Sequence, residues 1–115
     1  MRAVRHVKKR SSRPTEDVFY AIADPTRRGL LDLLSEREES VNFLAGRFAM
    51  SRPAISQHLG VLLQARLVRA RRVGRERRYR LNPRPLEEIH DWVAHYEQFW
   101  KWKLGALGEH LGKKK

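Results

Sequence analysis

Along most of this chain apolar residues recur every three or four positions, the spacing of amphipathic helices, and in one segment the spacing drops to two. Val18, Phe19, Ala21 and Ile22 form the first apolar face. Thr15-Glu16-Asp17 before it supplies a capping oxygen and acids for a positive helix end. Asp24-Pro25 closes that helix, because the residue before proline is pushed out of the α region, and opens a second with Asp24 as cap and Pro25 in first position. Leu30, Leu31, Leu33 and Leu34 are the buried stripe of that second helix. Glu36-Arg37-Glu38-Glu39 reads as a solvated, charged connection. Ser40 is placed to cap a third helix with Val41, Phe43, Leu44, Ala45 and Phe48 inward.

After Ala49-Met50, Ser51 caps a fourth helix that tolerates Pro53 in its first turn. At about 100° per residue, Ile55, Leu59, Leu62 and Leu63 share one side of it. Arg52, Pro53, Ser56, Gln57 and Gly60 share the other, with His58 on the flank. From Leu67 to Leu81 the pattern alternates, predicting a two-stranded ribbon that turns at Gly74-Arg75, with glycine first as a type II′ turn requires. This register sets Val68 opposite Leu81 and Ala70 opposite Tyr79 on the inner side, and Arg69 opposite Arg80 and Arg71 opposite Arg78 on the outer. Asn82-Pro83 marks a further helix start, and the apolar series from Leu86 to Leu111 keeps helical spacing for about seven turns.

Two short helices joined by a tight turn, the second displaying polar residues, form a helix-turn-helix pattern. The predicted fold is mainly α with a two-stranded β wing, a winged helix-turn-helix in the order α-α-α-α-β-β-α. One domain over residues 15–112 is expected, after a disordered basic tail at 1–14 and before a basic end at 113–115. The last helix would run ~40 Å, beyond the ~26 Å width of a hundred-residue domain, and Trp92, Phe99 and Trp100 along it need cover. A second subunit related by a twofold axis supplies that cover. The same aromatic stripe could line a ligand pocket, which leaves a small-molecule effector open.

Charge adds a partner to this picture. The 115-residue chain carries a net charge of +12, an excess that calls for an anion, nucleic acid first. A membrane surface is the rival, but no apolar run approaches the ~18 residues of a spanning helix, and the basic start leads into Asp17 and Asp24 rather than a signal-type core. A cytoplasmic, nucleoid-associated protein is therefore expected. With no cysteine, disulfides, thiolate metal sites and cysteine nucleophiles are excluded. Between Arg66 and Arg80 eight arginines face the single acid Glu76. Like charges opposite one another destabilise a ribbon by roughly 0.2–1 kcal/mol per pair, so an absent anion explains them better than folding does, the other account being an edge protected by charge. Arginine pairs bidentately with guanine, glutamine with adenine, and serine with either edge, so the outward face of the fourth helix suits a major groove. Arg2, Arg5, Lys8, Lys9, Arg10 and Arg13 could form a minor-groove arm. Ser51, Ser56 and His58 lie close together without an acid or a phosphate-type glycine loop, so no enzyme is expected.

Four segments together resemble the ArsR family of winged-helix bacterial transcriptional repressors over about residues 17 to 107. They are Ala23-Asp24-Pro25-Thr26-Arg27-Arg28, Ser51-Arg52-Pro53-Ala54-Ile55-Ser56-Gln57-His58-Leu59, the wing Gly74-Arg75-Glu76-Arg77-Arg78-Tyr79-Arg80-Leu81-Asn82-Pro83, and the Trp92 to Trp100 aromatic helix. The resemblance implies a homodimer held by the first and last helices, with Phe19, Ile22, Trp92, Tyr96, Phe99, Trp100 and Leu104 at the interface. It places the Ser51 to Leu63 helix in the major groove, the wing on flanking backbone, and an operator near the protein's own promoter. The metal-sensing branch carries Cys-x-Cys in the third helix, where this chain has Val41-Asn42-Phe43-Leu44-Ala45. Asp91 and His95, one turn apart, are the only candidate metal ligands, and His90 points elsewhere, so no metal or cofactor is expected and the chain resembles the metal-independent, autorepressor-like branch. Gly60 stands where such sequences usually have lysine, and Arg66 where they have glycine.

The sequence thus predicts a sequence-specific DNA-binding transcriptional regulator, a dimeric repressor on a pseudo-palindromic operator in double-stranded DNA. The alternative is a non-specific architectural nucleic-acid-binding protein. Arg52, Ser56 and Gln57 are expected to read bases. Ser40, Ser51, His58, Arg69, Arg71, Arg75, Arg77, Arg78 and Arg80 are expected on the DNA backbone or in the wing.

Overall fold

The computed structural model describes residues 17–101, so the expectations for the basic tail, for Thr15 and Leu104 and for the basic C-terminal end lie outside the described residues. Helix α1 spans Val18–Ile22 and is capped by Asp17, whose carboxylate accepts from the Phe19 N–H at 2.8 Å. Helix α2 spans Pro25–Leu34, with Asp24 accepting from Thr26 and Arg27 N–H and proline at the helix start, as the Asp-Pro step predicts. Strand β1 (Glu39–Ser40) leads directly into α3 (Val41–Ala45), capped by the Ser40 hydroxyl. Helix α4 spans Arg52–Gln64 and is capped by Ser51 Oγ at 3.2 Å from Ala54 N. Strands β2 (Val68–Val73) and β3 (Glu76–Leu81) form the ribbon, and α5 spans Leu86–His95. Among the described residues no helix is long and apolar enough to cross a membrane.

The ribbon has the predicted register: Val68 opposite Leu81, Arg69 opposite Arg80, Ala70 opposite Tyr79 and Arg71 opposite Arg78. Gly74 has φ +65° while Arg75 does not enter the positive-φ region, the pattern of a type II′ turn. Four features depart from the sequence reading. The sheet has a third strand, in the order β1-β3-β2, with Glu39 opposite Tyr79 and Ser40 opposite Arg78. The charged connection is accordingly not simply solvated, since Glu39 is buried and Glu38 half-buried. The last helix is not continuous either: it breaks at Tyr96, where Tyr96 N–H reaches Val93 O and Phe99 N–H reaches Tyr96 O in tight i−3 bonds, before a further helical turn at 97–101. Finally, Asn82 does not cap α5. Its side chain donates to Arg66 O at 2.7 Å and its N–H to Leu67 O at 2.8 Å, tying the end of the wing to the end of α4.

That junction explains how Arg66 occupies a glycine position. Arg66 has φ +63°, its N–H bonds Leu63 O and the Leu67 N–H bonds Leu62 O, which together make a Schellman motif. Leu62 and Leu67, the apolar pair that accompanies such a motif, are both fully buried. The motif turns the chain sharply from α4 into β2 and so sets the angle between helix and wing. Leu30, Leu44, Ile55, Leu59, Leu62, Leu67 and Val68 form the centre of the core, each fully buried and each contributing roughly 1.5–3 kcal/mol by burial. Three of the seven belong to α4, so its inner face is anchored while its outer face stays free.

Candidate nucleic-acid interface

On α4 the residues opposite Ile55, Leu59 and Leu62 are Arg52, Pro53, Ser56 and Gln57, and all four are exposed. No other described residue is a hydrogen-bond partner for the Arg52, Ser56 or Gln57 side chains. Their donors and acceptors are therefore available for the edge of a base pair. Gly60 follows on the same helix, and a Cβ placed there would meet nothing within 4 Å, so the missing cation is not a steric requirement. Ser51 is exposed at the helix start with its hydroxyl engaged as cap. Ser40 lies deeper. It is 7% exposed and its hydroxyl accepts from Phe43, so it orients α3 and does not present itself to a DNA backbone.

His58 connects α4 to the first two helices through a residue that sequence reasoning passed over. Arg27 is 8% exposed. Its Nε donates to Ala21 O at 2.7 Å, its Nη2 to Tyr20 O at 3.1 Å, and its Nη1 lies 3.1 Å from His58 Nδ1. The guanidinium also lies over the Tyr20 ring at 5.1 Å. Because guanidinium has donors only, Nδ1 must accept, which leaves the His58 proton on Nε2. Arg28 does the same for the next carbonyl, Nη1 donating to Ile22 O at 2.8 Å. Two adjacent arginines thus satisfy the C-terminal carbonyls of α1, which is the physical use of the Asp-Pro-Thr-Arg-Arg sequence.

The wing arginines fall into two sets. Alternation puts Arg69, Arg71, Arg78 and Arg80 on one face, and Arg72 and Arg77 on the other beyond Ala70 and Tyr79. Arg71 and Arg78, expected to face an absent anion, instead have one within the chain: Glu38 accepts from Arg71 Nη2 at 3.0 Å and from Arg78 Nε at 3.1 Å. Arg78 Nη1 also donates to Glu76 at 2.7 Å. Hydrogen bonds from Arg71 and then Arg78 outweigh desolvation and hold the Glu38 carboxyl below its usual range, while Glu76 and then Glu38 hold the Arg78 guanidinium above its own. Among the described residues Arg69, Arg72, Arg75, Arg77 and Arg80 have no acidic partner. Arg77 donates from Nε to Tyr79 Oη at 3.1 Å and lies over that ring. Arg72, directly opposite Arg77 and exposed, was not singled out by sequence, although the alternation that placed Arg71 places it too.

The first and last helices meet through Phe19 and Trp92, whose rings lie edge to face at 5.5 Å. Beyond them Trp92, Val93, Tyr96, Phe99 and Trp100 line an open apolar depression of about 350 Å³. Trp92 is 54% and Phe99 65% exposed, an aromatic surface that calls for cover. Ile22 is half-buried and packs against the core. Asp91 and His95 are both exposed on α5; His90 Nδ1 lies 3.5 Å from Asp91 Oδ1, and the His95 ring packs edge-on against Tyr96. Among the described residues no three His, Cys, Asp or Glu side chains gather in a metal-holding group.

Residues 24–70 match the family model described as bacterial regulatory protein, arsR family. The chain is 39% identical over 80 residues to the transcriptional repressor SdpR of Bacillus subtilis, covering 70% of this chain and 89% of that one. Among solved structures, an ArsR-like transcriptional regulator from Rhodococcus is 33% identical with a TM-score of 0.65, covering 85% of this chain and 89% of that chain. The homodimeric winged helix-turn-helix DNA-binding domain from Mycobacterium bovis is 29% identical with a TM-score of 0.58, covering 73% of this chain and 80% of that chain.

Proposed function

The chain belongs to the ArsR family of bacterial regulatory proteins, and from that premise we infer that it is a sequence-specific DNA-binding transcriptional regulator that represses as a homodimer. The observation that carries the specific part of this reading is the outer face of α4. A helix anchored by Ile55, Leu59 and Leu62 displays Arg52, Ser56 and Gln57 with no other use for them in the described residues. In the major groove these side chains read base edges. Arg69, Arg72, Arg75, Arg77 and Arg80 contribute phosphate or narrow-groove contacts, which fix position without reading sequence. The face of Trp92, Tyr96, Phe99 and Trp100, with Phe19 against Trp92 and with Ile22 of the first helix, forms the isologous interface between two copies in this reading. Two α4 helices then enter successive major grooves about 34 Å apart, on a pseudo-palindrome. The reading includes no metal and no cofactor, and repression independent of metal.

This division of labour predicts different behaviour for two substitutions. Gln57→Ala is expected to cost about 1–3 kcal/mol on the preferred site and nothing measurable on random duplex. Arg77→Ala is expected to weaken both alike and to lower the slope of log affinity against log salt by about one. Titration of each variant on both duplexes checks this. Equal losses on both duplexes for both variants would remove α4 from the reading role.

A further inference from the structure

The DNA-binding reading leaves Glu38 unexplained. We propose that Glu38 is a positioning residue for the wing: its carboxylate holds the Arg71 and Arg78 guanidiniums away from DNA phosphate, so that the wing grips DNA with its other arginines. The proposal rests on the reading above and concerns how that same site sets its affinity.

The placement follows from the sheet. Ser40 lies opposite Arg78, so Glu38, two residues earlier, extends the same face that carries Arg69, Arg71, Arg78 and Arg80. From there one carboxylate takes four short contacts: Arg71 Nε at 3.3 Å on Oε1, and Arg71 Nε at 3.2 Å, Arg71 Nη2 at 3.0 Å and Arg78 Nε at 3.1 Å on Oε2. Arg78 spends its Nη1 on Glu76. Two cations are thereby matched by two anions midway along the ribbon; Glu38 and Arg78 have side chains less than a third exposed, while Arg71 is 65% exposed at the outer end of the network. The neighbouring pair on the same face, Arg69 and Arg80, has no acid among the described residues.

An isolated exposed ion pair would yield readily to phosphate, but this is a network with a multiply bonded carboxylate, the geometry in which surface pairs retain strength. A phosphate reaching Arg78 would also come to lie beside the Glu38 and Glu76 carboxylates, and that like-charge contact opposes the exchange. The connection before β1 therefore acts as a fixed internal counterion. It keeps the ribbon docked on the helix-turn-helix and limits how strongly the protein holds DNA of any sequence.

The test is a salt titration of binding to a random-sequence duplex between about 50 and 200 mM, where each additional phosphate contact steepens the log–log slope by ~0.9. Glu38→Gln, nearly isosteric, is expected to steepen the slope by about one to two, so that affinity falls about threefold more per released arginine over that range. Glu38→Asp keeps the charge and is expected to retain the wild-type slope. Arg78→Ala alone is expected to leave the slope unchanged, and Arg71→Ala with Arg78→Ala in the Glu38→Gln background to abolish the gain, a coupling that a change in net charge alone would not produce. A slope lowered by about one in Arg78→Ala alone, or a gain that persists after both arginines are removed, would overturn the proposal. A wild type that prefers one duplex while Glu38→Gln matches it in slope would overturn this inference and leave the proposed function standing. A wild type that binds no duplex would overturn both.

Discussion

Phe99→Glu is expected to convert a dimer into folded monomers and to lower affinity for an inverted-repeat site by about a hundredfold to ten-thousandfold. The protomer should tolerate the change, because Phe99 is 65% exposed and its one described ring contact is to Tyr96 at 6.1 Å. The dimer should not. In an isologous interface the substitution occurs twice, so each association buries two carboxylates in an aromatic surface without partners. DNA affinity falls because two linked half-site contacts become two separate ones, and linkage of this kind is worth ~10²–10⁴. Sedimentation velocity reads the first effect and titration on an inverted repeat the second, with random duplex as the control for the protomer's own binding. A variant that sediments as a dimer and binds the repeat unchanged would place the interface elsewhere.

The second large effect is expected at Arg27. Replacement by Met should cost about 2–4 kcal/mol of folding stability, because Ala21 O loses its partner in a buried contact and the half-buried His58 Nδ1 loses its donor. Lysine should restore little. One ammonium cannot hold two carbonyls and an imidazole nitrogen that a planar fork meets at once, nor lie over Tyr20 in the same way. Since Arg27 joins the end of α1 to His58 of α4, the Met variant that remains folded should also bind its operator less tightly than its stability alone accounts for. Urea unfolding followed by tryptophan fluorescence checks the first statement; an unfolding free energy within about 0.5 kcal/mol of wild type would mean that the three contacts are worth no more than an ordinary surface substitution.

Which parts of this molecule were legible in the sequence depends on how local their causes are. Asp24, Ser40 and Ser51 announced helix starts because capping is a matter of two or three residues, and each caps as expected. The wing register followed from alternation plus one glycine, and it is the observed register. Arg66 was marked as a residue on a glycine site; it does take positive φ, held there by the Schellman bonds and by Asn82. What stayed hidden depends on contacts distant in sequence. Strand β1 is two residues long, too short for any alternation, and its Glu39 carries the composition of a surface loop while being 8% exposed. Glu38 meets arginines 33 and 40 residues away, so nothing local distinguished it from its neighbours. Arg27 sat inside a recognised motif, yet its burial depends on where α1 and α4 lie around it. The interruption at Tyr96 has neither glycine nor proline to signal it. The outward face of α4, with Arg52, Ser56 and Gln57 exposed, was legible as a surface through the period of that helix.

Selection of bound sequences from a pool of random duplexes tests the central claim most directly. Two copies of α4 bound through Arg52, Ser56 and Gln57 predict enrichment of an inverted repeat with half-site centres one helical turn apart, held ~10³-fold or more tighter than random duplex. Recovery of a pool with no enriched repeat, bound in proportion to length and salt alone, would contradict the claim and leave a protein that coats DNA through its charge.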